Sequence, residues 1–280
     1  MLNPGVIFGI VALLGYGIGD YIEALVARKI GALIAAFWSY VFSAIFSLLI
    51  LLIFFSNFYI SLFNLALLVS AGLFGAIAYF TFFKGFEKGE IAIVSPLSNS
   101  FPIVTVLLGI IFLTEPLFLS SYIGIFLVIF GTIFMSIKNS KHINAVSLSL
   151  KCGIATMLSF GLMLFFISIA APASGWIIPI VIIELIGLII YAPILVAKGK
   201  FTFPSHSALP LIVQSIIIMT AFFAVSYGEY LNYSLVVVPI SSAAPMITVF
   251  LAFIIAKEKI SRQHLIGIAA ILLGIIFLGL

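Results

Sequence analysis

The feature that most constrains this chain is a succession of long apolar stretches separated by short polar links. A helix needs about 20 apolar residues to cross the ~30 Å hydrocarbon core of a bilayer. Breaking the chain at its charged and turn residues gives ten stretches of about that length. They cover residues 5–27, 32–55, 64–84, 91–113, 119–137, 147–170, 175–197, 208–229, 233–256 and 262–279. The pattern predicts an all-α integral membrane protein with ten transmembrane helices.

The composition argues against a soluble protein. Only 7% of the residues are charged and 65% are hydrophobic, whereas a soluble domain carries roughly 25% charged residues. The links are too short to hold a soluble catalytic or nucleic-acid-binding module. The single cysteine, Cys152, cannot form an intrachain disulfide. We therefore expect no cofactor, no bound metal and no nucleic-acid partner.

The basic residues are distributed unevenly between the two sides of the predicted helices. All 12 Lys and Arg residues fall in or beside the odd-numbered links, and the even-numbered links hold none. Short cytoplasmic loops of membrane proteins are enriched in Lys and Arg. This asymmetry predicts a multi-pass protein of the plasma membrane with its odd-numbered loops in the cytoplasm and both termini outside.

The sequence contains an internal repeat. The segment VSPLSNSFPIVTV at residues 94–106 matches VVPISSAAPMITV at residues 237–249, at an offset of 143 residues. The pairs that match at this offset are Pro96 with Pro239, Pro102 with Pro245, Thr105 with Thr248, Glu115 with Glu258, Gly124 with Gly267, and Gly131 with Gly274. The repeat predicts two five-helix halves, residues 1–143 and 144–280. Because five is odd, the second half must run inverted, as is common in secondary transporters.

This arrangement resembles the EamA-type ten-helix transporters of the drug/metabolite transporter superfamily. The likeness rests on the proline pair early in helices four and nine, the Glu that follows each pair, and the Gly-spaced final helices. It implies a carrier of small metabolites, often an exporter, with a cavity between the halves. Such proteins commonly carry Trp-Gly in helix one and a basic residue in helix two, where this chain has Tyr16-Gly17 and Trp38-Ser39-Tyr40. They are usually drawn with both termini in the cytoplasm, the reverse of the charge-based prediction.

The prolines predict a polar zone within helices four and nine. A proline inside a helix removes one backbone donor, and carbonyls freed within a membrane must find partners in protein or in a water-filled cavity. We therefore expect both helices to line the cavity. A role in helix packing alone is the alternative. The helix-breaking residues are Pro96, Pro102, Pro239 and Pro245, and the polar candidates beside them are Ser98, Asn99, Ser241 and Ser242.

An isolated acid lies in the seventh stretch. Glu184 is near its centre, and no Lys or Arg lies at a similar predicted depth. A charged group there costs about 3 kcal/mol or more, so an unpaired carboxylate takes up a proton. The position predicts either a proton-coupling site or an ion pair with a substrate amine. A permanently protonated Glu184, hydrogen-bonded to a helix neighbour, is the structural alternative.

Two further acids lie in helix one. Tyr16, Asp20 and Glu23 fall at i, i+4 and i+7 and therefore share one helix face. The glycines that surround this stripe leave room for another helix or a ligand. We expect the stripe to line the cavity, with Asp20 as a cation or proton site and Glu23 as a relay to the surface. In the alternative, Glu23 reaches the membrane interface near Arg28 and Lys29.

Aromatic and amide side chains complete the predicted site. Tyrosine offers both a ring face and a hydroxyl to small organic cations or amino acids. Tyr40 occupies the position equivalent to Glu184, 144 residues earlier. The candidates for the cavity wall are Trp38, Tyr40, Tyr79, Gln214 and Tyr227. Glu115 and Glu258, by contrast, are expected to cap or pair within their own loops.

These observations predict a secondary active transporter of a small polar or amphipathic metabolite, such as an amino acid. We expect it to export that metabolite by alternating access, coupled to protons, as a monomer or homodimer in the bilayer. The first alternative is uncoupled facilitation or exchange of a small organic cation or metabolite. The alternative from another class is an intramembrane lipid-modifying enzyme, which no His-rich cluster or Gly-x-Ser-x-Gly motif supports.

Overall fold

The computed structural model describes residues 4–54, 60–113, 119–136, 143–231, 233, 237, 240, 241, 243–258 and 261–278. Eleven α-helices have their bounds within these ranges, and the ranges contain no β-strand. The helices are α1 (Pro4–Ile30), α2 (Ala32–Ile53), α3 (Leu62–Lys88), α4 (Ile91–Ser98), α5 (Pro102–Leu113), α6 (Leu119–Ser136), α7 (Ile143–Ser174), α8 (Ile178–Ala197), α9 (Ala208–Tyr230), α10 (Ala244–Ile254) and α11 (Arg262–Leu278).

The helices are long and apolar enough for a multi-pass membrane protein. Seven stretches in the described ranges could cross a bilayer by length and composition, and α6, α10 and α11 contain shorter apolar segments. The seven stretches are Pro4–Ile30, Ala32–Ile53, Leu62–Lys88, Ile91–Gly109, Val146–Ser174, Ile178–Ala197 and Ser205–Gly228. Many large apolar side chains on the outer surface are exposed, Leu52 and Ile189 among them. That surface suits contact with lipid.

The fourth predicted stretch is two helices rather than one. α4 ends at Ser98 and α5 begins at Pro102, and the three residues between them form a turn. The Ser100 hydroxyl donates to the Pro96 carbonyl at 2.8 Å, and the Asn99 amide donates to the Ser95 carbonyl at 3.0 Å. The turn thus satisfies these backbone groups internally, as hydrocarbon surroundings require. Of the matching segment in the second half, Pro239 and Ser242 lie outside the described residues.

The two halves use the same device to bring their helices together. The Thr248 hydroxyl donates to the Gly17 carbonyl at 3.0 Å, and the Thr105 hydroxyl donates to the Gly161 carbonyl at 3.2 Å. Each Thr–Gly pair is the repeat equivalent of the other. A Cβ at Gly17 would lie 2.5 Å from the Cβ of Ile247. Only glycine therefore permits this close crossing, which fits the use of small residues between membrane helices.

The last helices of the two halves cross in an equally reciprocal way. A Cβ at Gly131 would lie 2.6 Å from the carbonyl oxygen of Gly267, and a Cβ at Gly274 would lie 2.8 Å from that of Gly124. The four glycines form two pairs at the repeat offset of 143 residues. The crossing of α6 and α11 is therefore symmetric, because each helix brings one glycine against a glycine carbonyl of the other.

Candidate functional site

A cavity of about 600 Å³ lies between the two halves of the chain. Its walls come from α1, α3, α7, α8 and α9, together with the turn between α4 and α5. One end lies at the α7–α8 turn, where Gly175 and Trp176 line it, and the other end lies at Glu23. The volume is in the range that holds a small organic molecule.

The structure brings the predicted stripe of helix one together at this cavity. Tyr16, Asp20 and Glu23 all line it, and the carboxylate residues are only 6% and 2% exposed. The glycines on either side accept close helices. A Cβ at Gly15 would lie 2.7 Å from the Cβ of Ala221 on α9, and a Cβ at Gly19 would collide with the Ile218 side chain on the same helix. The packing of α9 on these glycines therefore fixes how α1 presents its two acids.

The turn between α4 and α5 supplies the polar partners of Asp20. The Ser95 hydroxyl and the Asn99 side-chain amide each donate to Asp20 Oδ2, at 3.4 Å. The same Asn99 amide donates to the Ser95 carbonyl at 3.0 Å. The turn that follows Pro96 therefore orients Asn99 toward the acid. Sequence analysis included Asn99 in the site but did not identify Asp20 as its partner.

Glu23 is buried and lines the cavity. The alternative that placed it near Arg28 and Lys29 is wrong, because those cations have other partners. Arg28 pairs with Glu258 at 2.5 Å, and Lys29 donates to the His206 carbonyl at 3.0 Å. In the described part of the chain, no hydrogen bond or ion pair reaches the Glu23 carboxylate. It is close enough to Asp20 and Glu184 for their charges to interact.

Glu184 lies behind the cavity wall and does not line it. It is 2% exposed on α8, and no hydrogen bond or ion pair to it is found among the described residues. One turn further along α8, a Cβ at Gly187 would collide with the Tyr40 ring, and that ring packs against Tyr79 with 5.2 Å between the centroids. Tyr79 lines the cavity and lies within electrostatic reach of both Glu184 and Glu23. We call Tyr40 and Tyr79 the tyrosine layer, and both lie within electrostatic reach of Glu184 and Glu23.

The hydroxyl of Tyr40 has no hydrogen-bond partner within the described residues, although the side chain is fully buried. By contrast, the Tyr191 hydroxyl donates to the Ala76 carbonyl. A buried hydroxyl without a partner is costly. The Tyr40 hydroxyl near Glu184 is therefore a buried polar group for which the described residues supply no partner.

Several predicted wall residues lie away from the cavity. Trp38 donates to the Thr202 carbonyl at 3.0 Å and packs against aromatic rings that follow α8. Gln214 is buried between α2 and α9, where it donates to the Ser39 hydroxyl at 2.5 Å. Tyr227 packs against Trp176 beside the cavity end in a tilted arrangement, with 5.0 Å between the ring centroids. Gln214 and Tyr227 thus lie on α9 but on other faces than its cavity-lining residues, and Trp38 lies on α2, which contributes no lining residue.

The polar zone around the prolines is only partly at the cavity. Asn99, Pro102 and Ser241 line it. Pro96, Ser98 and Pro245 are buried elsewhere in the packing, and the Ser98 hydroxyl has no partner within the described residues. The expectation that the broken helix lines the cavity therefore holds for the turn and the start of α5.

Glu258 closes the end of the molecule beyond Glu23. Its Oε1 accepts from Arg28 at 2.5 Å and from the Ile91 amide at 3.2 Å, and its Oε2 accepts from the Ala92 amide at 3.1 Å. Arg28 also donates to the carbonyl oxygen of Gly89 at 3.1 Å. The expectation of a cap within its own loop is wrong, because Glu258 caps α4 from the opposite half. We call this contact the Arg28–Glu258 latch; Glu115, its repeat equivalent, lies outside the described residues.

Comparison with known proteins decides the family. The model of the EamA-like transporter family matches residues 3–137 and, a second time, residues 147–280. The chain belongs to the EamA-like transporter family. An uncharacterized protein of Methanocaldococcus jannaschii is 30% identical over 132 residues, which are 46% of this chain and 93% of that protein. A solved structure titled "Crystal structure of protein" covers 98% of this chain and 95% of its own at a TM-score of 0.68 and 15% identity, which shows a shared fold.

The two EamA-like repeats supply cavity walls of opposite character. The first contributes Tyr16, Asp20, Glu23 and Tyr79, whereas their repeat equivalents in the second are apolar. Those equivalents, which also line the cavity, are Phe160, Leu164, Ile167 and Phe222. Sequence analysis missed these four, although applying the repeat offset to the acidic stripe would have found them. Both acids among the described lining residues therefore come from the first repeat, and the four equivalent positions of the second repeat form an apolar surface.

No group of three or more His, Cys, Asp and Glu residues that could hold a metal ion is found in the described ranges. The chemistry of the site therefore rests on carboxylates, hydroxyls, one amide and aromatic rings. Such groups can bind a cation, accept a proton and enclose an apolar body.

Proposed function

We propose that this EamA-like protein is a secondary active transporter of a small amphipathic metabolite, working by alternating access in the plasma membrane. The observation that carries the proposal is a cavity between the two repeats with buried carboxylates at its closed end. In secondary transporters built from repeats, the substrate lies at the repeat interface near the middle of the membrane. A buried acid in such a place is functional more often than structural.

We propose ten crossings arranged as two inverted five-helix repeats, residues 1–143 and 144–280. The apolar segments in α6, α10 and α11 would supply the crossings beyond the seven long stretches. The reciprocal Thr–Gly contacts at Gly17 and Gly161 support an equivalence of the two halves. Rocking of one half against the other would then move the opening from one side to the other.

The latch suggests which state the structure represents. It closes the end beyond Glu23, and that end carries the basic links that we propose face the cytoplasm. The cavity reaches the other end at Trp176, so the described state would be open to the outside. In an exporter, the substrate would enter when the latch opens and leave past Trp176 once the latch has closed again.

Proton coupling is proposed to run through Glu184, with Asp20 assisting. Burial in an apolar surrounding disfavours the charged form of a carboxylate. Water that reaches the acids from one side of the membrane would let a proton bind. Exclusion of water during the transition would hold that proton until the acids meet water on the other side. The second candidate is uncoupled exchange of a small organic cation, which is favoured by the direct exposure of Asp20 and Glu23 to the cavity.

A thermal-stability screen of the purified protein tests the proposal. Amino acids, amines, nucleosides, sugars and sugar phosphates would be compared at an acidic and an alkaline pH. A ligand at 100 times its Kd stabilises by about 2.7 kcal/mol, which raises the melting temperature of a chain of this size by about 5–10 °C. We expect one class to do so, and the Asp20→Asn/Glu23→Gln variant, folded by its own melting curve, to lose the shift. Absence of a shift in every class would contradict a carrier of soluble metabolites.

A further inference from the structure

We propose that the substrate is an amphipathic organic cation, with its ammonium group at Asp20 and Glu23 and its apolar body against the wall formed by Phe160, Leu164, Ile167 and Phe222. This inference rests on the proposed transport function and names the substrate class of the same cavity. It follows from the charge, the backbone donors and the rings that the cavity presents.

The charge of the cavity favours a cation. Asp20 and Glu23 line it, and no Lys, Arg or His is among the described residues that do so. Residues 230–256, which include the lining residues Tyr230 and Ser241, contain no Lys, Arg or His either. An anionic substrate would therefore be buried beside two acids without a counter-charge, and burying such a group is costly. An ammonium group would instead be paired with a carboxylate.

The backbone donors beside the cavity are also engaged. In broken-helix transporters the start of a half-helix can hold a substrate carboxylate. Here the first residue of α5 is Pro102, which has no N–H. The Ile103 amide donates to the Ser100 carbonyl at 3.1 Å, and the Val104 amide donates to the Phe101 carbonyl at 3.0 Å. These donors are therefore not available to the carboxylate of an amino acid. The site accordingly favours a simple amine over a zwitterion.

The rings around the acids suit the rest of such a molecule. Eight aromatic side chains among the described residues line the cavity: Tyr16, Tyr79, Phe82, Phe101, Phe160, Trp176, Phe222 and Tyr230. Ring faces attract organic cations by about 0.5–2 kcal/mol each, depending on desolvation, and they also bury apolar groups. The acids alone would bind any cation, so the rings and the apolar wall select one that carries an alkyl or aryl body.

The two tryptophans of the chain give a direct test. Trp176 lines the cavity, whereas Trp38 lies outside it and bonds to the Thr202 carbonyl. A Trp38→Phe variant leaves Trp176 as the sole tryptophan, whose emission is read with excitation that tyrosine does not absorb. Four probes share a phenyl ring and a two-carbon linker: 2-phenylethylamine, phenylalanine, 3-phenylpropionate and 2-phenylethanol. Trp176→Phe, with Trp38 retained, controls for partitioning of the probes into detergent.

We expect 2-phenylethylamine to change the Trp176 emission and to bind about tenfold or more tightly than either probe that carries a carboxylate. Asp20→Asn should weaken the amine by a similar factor and leave 2-phenylethanol unchanged. Equal or tighter binding of phenylalanine or 3-phenylpropionate would overturn the cation proposal while leaving the cavity as a binding site. No Trp176 response to any of the four probes would overturn this inference together with the proposed binding role of the cavity.

Discussion

Replacing Glu184 with Gln is expected to abolish proton-driven transport while leaving equilibrium ligand binding within about twofold. Glu184 is buried and does not line the cavity, so glutamine keeps the shape of the wall. It removes the group that can alternate between a neutral buried form and a charged hydrated form. Uptake at equal pH on both sides should persist, because the substrate site at Asp20 is unchanged.

Two assays on the same preparation separate these effects. Binding is followed through Trp176, and transport is followed in proteoliposomes with and without a pH gradient, using the compound class found in the thermal screen. Glu87→Gln is the matched control, because it makes the same chemical change where the carboxylate pairs with Lys84 at 3.0 Å. Gradient-driven uptake that persists in Glu184→Gln would show that the proton is carried elsewhere. Loss of binding would contradict the separation of Glu184 from the substrate site.

Replacing Glu258 with Gln is expected to open the closed end of the cavity. The Glu258 carboxylate accepts from Arg28 and from the first amides of α4. Hydrogen bonds to a charged group contribute about 1.5–3 kcal/mol each. Losing the charge should therefore shift the balance between the closed and open forms of this end by about tenfold or more.

A cysteine at Ala27 reports this change. Ala27 is fully buried on α1, one turn beyond Glu23, and Cys152→Ala removes the native thiol. We expect a charged maleimide to modify Ala27→Cys about tenfold faster when Glu258→Gln is added. Lys257→Gln, which changes the neighbouring exposed charge, should leave the rate unchanged. If Ala27→Cys reacts at the same rate with and without Glu258→Gln, the latch does not hold this end closed.

The latch is asymmetric between the repeats. The equivalent of Arg28, 144 residues later, is Pro172, which carries no charge. The opposite end therefore cannot form the same ion pair, even with Glu115 in the place of Glu258. We expect closure there to depend on aromatic contacts such as those of Trp176 with Phe54 and Tyr227, so the two ends should differ in their sensitivity to salt.

Helical periodicity identified the acidic stripe correctly. Residues at i, i+4 and i+7 must share a face whatever packs against it, so Tyr16, Asp20 and Glu23 could be grouped from the sequence. The prolines located the break between α4 and α5 for the same local reason. The repeat offset predicted which residues are equivalent, and the family match to two segments confirmed the repeat.

Contacts between distant segments could not be predicted in this way. Periodicity gives the face of a helix but not the helix that covers it. The Arg28–Glu258 pair joins residues 230 positions apart, and nothing local distinguishes Glu258 from a loop acid. Trp38 and Glu184 were expected at the cavity because of their types and depths. Instead, Trp38 bonds to the Thr202 carbonyl, α8 packs its Gly187 against Tyr40, and neither Trp38 nor Glu184 lines the cavity.

The most direct test of alternating access is the reactivity of a cavity cysteine from each face of the membrane. Met163 lines the cavity on α7, so Met163→Cys in a Cys152→Ala background would be treated with a membrane-impermeant thiol reagent in vesicles of either orientation. We predict reaction from both faces, with Glu258→Gln raising the rate from the face with the basic links and lowering it from the other. Reaction from one face only, unchanged by Glu258→Gln, would contradict alternating access and indicate a one-sided cleft.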